Sequence, residues 1–116
     1  MFSRYIPSIK DNIIYKKGGN AQDNFDLIDN SNGEDIWFHI NDQSSAHIVA
    51  SISNLEFSLD KKQLRDIIKQ GAVICKQYSR YKSCKNVEIV YTKIKDVEKS
   101  TPIGSVMIRH GKIIKI

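Results

Sequence analysis

The chain is poor in the residues that usually announce a chemistry. It has only two cysteines, Cys75 and Cys84. Their spacing fits neither a disulfide framework nor a zinc site, so reduced thiols in a cytoplasmic protein are the expectation. Paired-cysteine and paired-histidine metal patterns are absent, as are both glycine-rich phosphate fingerprints, so no metal and no cofactor is expected. No apolar run approaches the roughly 18 residues a membrane-spanning helix needs. Met1 to Pro7 contains no apolar stretch of the kind that opens a secretory signal. Charge of one sign is also missing locally. Residues 18–60 hold eight acids and no Lys or Arg, whereas residues 76–116 hold ten bases and three acids. The net charge of +5 is therefore strongly polarised along the chain. A basic face suits a polyanionic partner, although a solvated Lys-rich surface would give the same count.

What is present is enough for one ordinary globular unit. The length of 116 residues, with 41% hydrophobic and 27% charged, fits a single domain over residues 1–116. Ile13-Ile14-Tyr15 reads as a strand stopped by Gly18-Gly19. Asn20 then N-caps a short helix whose apolar side carries Phe25, Leu27 and Ile28. Ile36 to Ile40 alternates as a strand with Ile36, Phe38 and Ile40 on one face and Trp37 and His39 on the other. His47 to Ile52 reads as its return strand. Asp60 and Gln63 have capping-box spacing and open a helix running to about Tyr78. At about 100° per residue, Leu64, Ile67, Ile68, Gly71, Ile74, Cys75 and Tyr78 share its core face. Gly71 in the middle of that face suits a close approach to a strand. Asn86 to Thr92 is a further strand, and His110-Gly111 is read as the turn of a terminal hairpin. The order β-α-β-β-α-β-β-β predicts an α+β domain, a mostly antiparallel or mixed sheet with two helices packed on it.

Four chemistries are open to these residues. His39 and His47, on adjacent predicted strands, could share a metal with Asp42, but no third ligand has a recognisable spacing; two polar histidines satisfied by hydrogen bonds near the sheet edge are the preferred reading. Cys84 lies among Arg80, Lys82 and Lys85 without a base to activate it, and Cys75 sits on the core face of its helix, so no catalytic role is assigned. Glu34 and Asp35 are adjacent and cannot both face one cleft, which favours turn or cap roles. Lys16 to Asn20 has the ingredients of an anion nest, at most a backbone contact to phosphate. Nucleic-acid binding has the most support. Lys62, Arg65, Lys69, Lys76 and, if the helix reaches it, Arg80 fall within about 60° on one stripe. That stripe continues into a segment mixing Lys82 and Lys85 with Tyr81, where Tyr78 is read as core and Tyr81 as the free aromatic.

Several of these elements together resemble a family. Gly19-Asn20-Ala21 with Asn24 and Leu27, then Asp35-Ile36-Trp37-Phe38-His39, then Ser45-Ala46-His47-Ile48-Val49, are similar to the NFACT-R domain, the RNA-binding module of the NFACT ribosome quality-control proteins. The likeness continues through Ala72, Tyr78-Ser79, Val87 to Thr92, Val97 to Lys99 and Gly104-Ser105-Val106, covering roughly residues 13–108. It is nearest to the standalone eukaryotic relatives in which this domain precedes a coiled coil; like them it has Ala46 where Gly usually precedes the second His. The coiled coil and the other NFACT domains are not in this sequence. The resemblance thus implies a non-catalytic domain binding RNA, such as tRNA or ribosomal RNA, and not the tailing activity of whole NFACT proteins. On that reading Lys62, Arg65, Lys69, Lys76, Arg80, Lys82 and Lys85 neutralise phosphates, and Trp37, His39 and His47 shape or contact the site. The alternative is a protein-interaction module docking on a ribosomal or chaperone partner. A small enzyme using His39 and His47 is the weakest reading.

Overall fold

A computed structural model describes residues 1–116. In chain order it forms β1 (Phe2–Ile6), β2 (Asp11–Lys17), α1 (Ala21–Asp29), β3 (Ile36–Ile40), β4 (Ile48–Ser51), α2 (Lys61–Gln77), β5 (Glu88–Lys93), β6 (Val97–Lys99), β7 (Val106–Ile108) and β8 (Lys112–Lys115). Six strands make one antiparallel sheet in the order β1-β2-β4-β3-β5-β8, and β6 pairs with β7 apart from it. This is the α+β architecture that the alternating patterns predict.

The alternation of β3 divides the molecule. Ile36, Phe38 and Ile40 face α2 and join Tyr15, Ile48, Ile67, Ile74 and Ile89 in the larger apolar core. Trp37 faces the other way, into a smaller cluster with Ile28 of α1, Val49, Val90 and Ile94. The α2 helix begins where its capping box requires, with Asp60 accepting from the Gln63 backbone and Gln63 accepting from the Asp60 backbone. Gly71 lets the helix lie directly on Phe38, whose ring would collide with a Cβ there. The Tyr15 hydroxyl crosses the core to donate to the Ile67 carbonyl at 2.8 Å.

Three expectations are corrected. The strand β1 is not foreseen, because Arg4 occupies an inward-leaning position between Phe2 and Ile6 and obscures the alternation. The terminal hairpin does not form: β7 pairs with β6, and β8 pairs with β5. The exposed edge of β5 needs a partner, and β8 supplies Ile114 to the main core while Val106 and Ile108 of β7 cover the Trp37 side. His110-Gly111 therefore carries the chain from one sheet to the other. Finally, α2 ends at Gln77, so Arg80 is not on its basic stripe.

Candidate nucleic-acid interface

The β3–β4 register sets Trp37 opposite Val49 and Phe38 opposite Ile48. One step further along the same register, His39 and His47 face each other with ring centroids 5.0 Å apart. Trp37 stacks parallel to His39 at 5.6 Å and meets His47 edge-on at 5.2 Å. Its indole N–H donates to His47 Nδ1 at 3.1 Å. The His47 backbone is held as tightly: its N–H donates to Asn24 Oδ1 at 3.2 Å, and its carbonyl accepts from the Gly18 N–H at 3.0 Å. Asn24 lies so close to Gly18 that no side chain fits there, which explains the glycine at the end of β2.

Above this triad opens a cleft of about 770 Å³. Its walls are the end of β2 with the α1 N-terminus, the β3–β4 loop, and the segment leading into β7; Tyr78 stands at the rim. Burial lowers the proton affinity of both imidazoles. His39 is held below its ordinary value, against an opposing contribution from the Ile40 and Ser45 backbone. His47 is pushed down to about 3, first by burial and then by the neighbouring His39. Both rings are therefore neutral near pH 7.

The predicted site residues separate into two groups. Trp37 is 1% exposed and His47 2%, so they form the cleft floor and Trp37 offers no face to a base. His39 is half-buried beside them. Lys62, Arg65 and Lys69 stand on the other side of the sheet, with Lys62 paired to Asp66 at 3.3 Å. About 24 Å of helix separates Lys62 from Tyr78. Lys76 is engaged by the Ile116 carbonyl at 3.0 Å. Arg80, Lys82 and Lys85 are exposed on the loop that follows α2. This loop leaves the cleft at Tyr78, and its Tyr81 hydroxyl bonds Gln43 of the β3–β4 loop at 2.8 Å, a contact outside the cleft lining.

The aromatic assignments are reversed. Tyr78 caps α2 and is 44% exposed, whereas Tyr81 packs against the core. Placing Tyr78 on the helical wheel fails because the residue lies just past the last helical position. Lys17, absent from the predicted set, lines the cleft and sits 5.6 Å over the Tyr78 ring; its place at the end of β2, before two glycines, is the one sequence signal that marks it. The anticipated nest is compromised, since the Gly18 N–H is occupied and Asp23 crowds Gly19. Asp35 has a structural role, its carboxylate accepting from the N–H groups of Asn32, Ile52 and Ser53 and from the Ser53 hydroxyl. Glu34 pairs with Lys93 and Lys95. Burial pushes the Cys75 thiol up to about 12. No three His, Cys, Asp or Glu side chains come close enough together to hold a metal ion, and no helix is long and apolar enough to cross a membrane.

Residues 1–114 match the family described as NFACT protein RNA binding domain. The chain is 31% identical over 115 residues to the coiled-coil domain-containing protein 25 homolog of Dictyostelium discoideum, covering 96% of this chain and 54% of that protein. It is also 31% identical over 106 residues to coiled-coil domain-containing protein 25 of Mus musculus, covering 85% of this chain and 48% of the relative. The chain thus spans about half the length of the curated relatives it matches. In fold it is similar to the C-terminal part of the fibronectin/fibrinogen-binding protein from Streptococcus suis, with a TM-score of 0.74 at 20% identity over 90% of this chain and 40% of that one. With nearly its whole length matched, this chain belongs to the NFACT-R family of RNA-binding domains.

Proposed function

We propose that the domain binds structured RNA, such as tRNA or ribosomal RNA, in the cytoplasm and serves translation or ribosome quality control without catalysing a reaction itself. The observation that carries this reading is the place of Tyr78, which lines the cleft under Lys17 and leads directly into the exposed Arg80, Lys82 and Lys85. The cationic loop starts within two residues of the cleft, and the Tyr81–Gln43 bond ties it to the β3–β4 loop, which favours phosphate contacts on a surface beside the cleft. Lys17 extends that surface across the rim. Lys62, Arg65 and Lys69 form a second, more distant basic patch that would meet RNA only if the strand wraps the end of the sheet.

Titration of tRNA against the domain at several salt concentrations tests this. If four phosphates are neutralised on a single-stranded segment, log affinity should fall against log salt with a slope of about −3. Affinity indifferent to salt would sink the proposal. A second reading, docking on a ribosomal or chaperone protein, has the unpaired outer edge of β8 and the exposed Ile113 in its favour. Lys112 and Lys115 at either end of that strand argue against it, since lysines on an edge oppose strand addition. A complex with a ribosomal protein that survives nuclease treatment would support this second reading.

A further inference from the structure

We propose that the cleft receives one unpaired nucleobase of the bound RNA, with His47 Nε2–H donating to a ring nitrogen or carbonyl oxygen of that base. The proposal rests on the RNA-binding reading above and adds which part of the RNA enters the protein. The Trp37 indole N–H can only donate, so the His47 Nδ1 that it meets at 3.1 Å carries no proton. The proton of the neutral ring is consequently on Nε2, in a tautomer fixed by the indole. Nε2 donates to no protein group, although His47 is only 2% exposed. Every side-chain nitrogen or oxygen sealed from solvent in this fold does have a partner. The Nε2–H is thus an oriented, unused donor that reaches open space, and the space that His47 lines is the cleft.

The character of the cleft selects what that donor meets. Lys17 and Asp42 are the only formally charged side chains among its walls, and they cancel. Asp23 beside Gly19 adds negative charge near the α1 N-terminus. A phosphate gains little in such a place. An uncharged heterocycle with an in-plane acceptor gains the His47 bond, apolar contact with Val90 and Val106 on the floor, and further polar contacts with Asn41 and Ser45. The volume lies within the roughly 300–1,000 Å³ common for small-ligand sites, ample for a nucleoside. Two exposed apolar side chains, Tyr78 at 44% and Ile103 at 52%, flank the mouth. A base turned out of a helix would slide between them while its neighbouring phosphates stay on the Arg80–Lys85 loop.

The test uses the full chain with two RNA hairpins, one fully paired and one carrying a single bulged 2-aminopurine, and follows the His47 Nε2 resonance by nitrogen NMR. The bulged hairpin should bind about tenfold more tightly at equal salt. Its 2-aminopurine emission should change at saturation, and the Nε2 resonance should move with this hairpin alone. Ser44→Trp, which places an indole at the mouth, should reduce the affinity ratio to near one; the NMR measurement on the unmodified protein stands if that variant folds poorly. Equal affinities with an unmoved Nε2 resonance overturn the base site while leaving RNA binding intact. Failure to bind either hairpin removes the RNA-binding reading as well. Adenosine monophosphate is the third ligand: if it moves the Nε2 resonance and the bulged hairpin does not, the cleft serves a free nucleotide and the proposal falls.

Discussion

The two faces of the main sheet are built from the same strands and do opposite things. The face under α2 is apolar throughout, closed by a long capped helix and by the contact of Gly71 with Phe38. The opposite face has a smaller apolar cluster and buries Asn24, His47 and Thr92. Each of these polar groups needs a fixed partner, which Asn24 finds in the His47 backbone, His47 in Trp37 and Thr92 in the Arg109 carbonyl. One face supplies stability, and the other uses part of that stability to hold an open polar cleft in place. Alternation along a strand is what allows both, because neighbouring residues answer to different environments.

The contrast can be broken most severely from the α2 side. Phe38→Ala should destabilise the fold by about 3–5 kcal/mol, measured by urea denaturation, because it leaves a void under Gly71 that neither helix nor sheet can close. On the connecting loops, Asp35→Ala should cost about 2–3 kcal/mol in the same assay, since it strands the Ile52 and Ser53 N–H groups. A cost below about 0.5 kcal/mol would mean that water replaces the carboxylate freely.

Acid should act on the cleft face. His47 binds a proton at about 6.5 when unfolded and at about 3 when folded, so between those values the unfolded chain holds more protons. Stability is complete above pH 6.5 and is lost as pH falls, by about 1 kcal/mol per unit. His39 is shifted in the same direction and adds to the slope. Denaturation midpoints at pH 7 and pH 5 should therefore differ, and His47→Phe should flatten the dependence. A slope unchanged in that variant would place the titration elsewhere. The smallest effect distinguishes the two basic patches. Arg80→Glu with Lys82→Glu should weaken RNA binding about tenfold at low salt, and Lys62→Glu with Arg65→Glu by less. The reverse order would move the RNA to the α2 face.

Much of this fold is legible before folding because its signals are local. The Asp60–Gln63 capping box, the Asn20 cap, the alternation of Ile36 to Ile40 and the glycine in the α2 core face each depend on neighbours within a turn or a strand. The site was partly legible for the same reason: Trp37 and His39 opposite Phe38, with His47 beside them, follows from alternation and one hairpin. The failures fall at element ends, at a charged residue inside a strand and where distant partners decide. Tyr78 and Tyr81 exchange roles because the end of α2 and the β3–β4 loop decide which ring is covered. Arg4 hides β1, and β8 leaves its sequence neighbour for the unpaired edge of β5.

By itself, then, the sequence determines the element types, the two-faced strand, the charge polarity and the family signature, all properties of short segments and composition. Only the tertiary structure decides that the long basic stripe and the histidine pair lie on opposite sides of one sheet, that Lys17 and Tyr78 are the cationic and aromatic groups lining the cleft, and that His47 keeps one donor unused. The physical reason is that a hydrogen-bond inventory and a distance across a sheet are properties of packed chains, and no window along the sequence contains both partners.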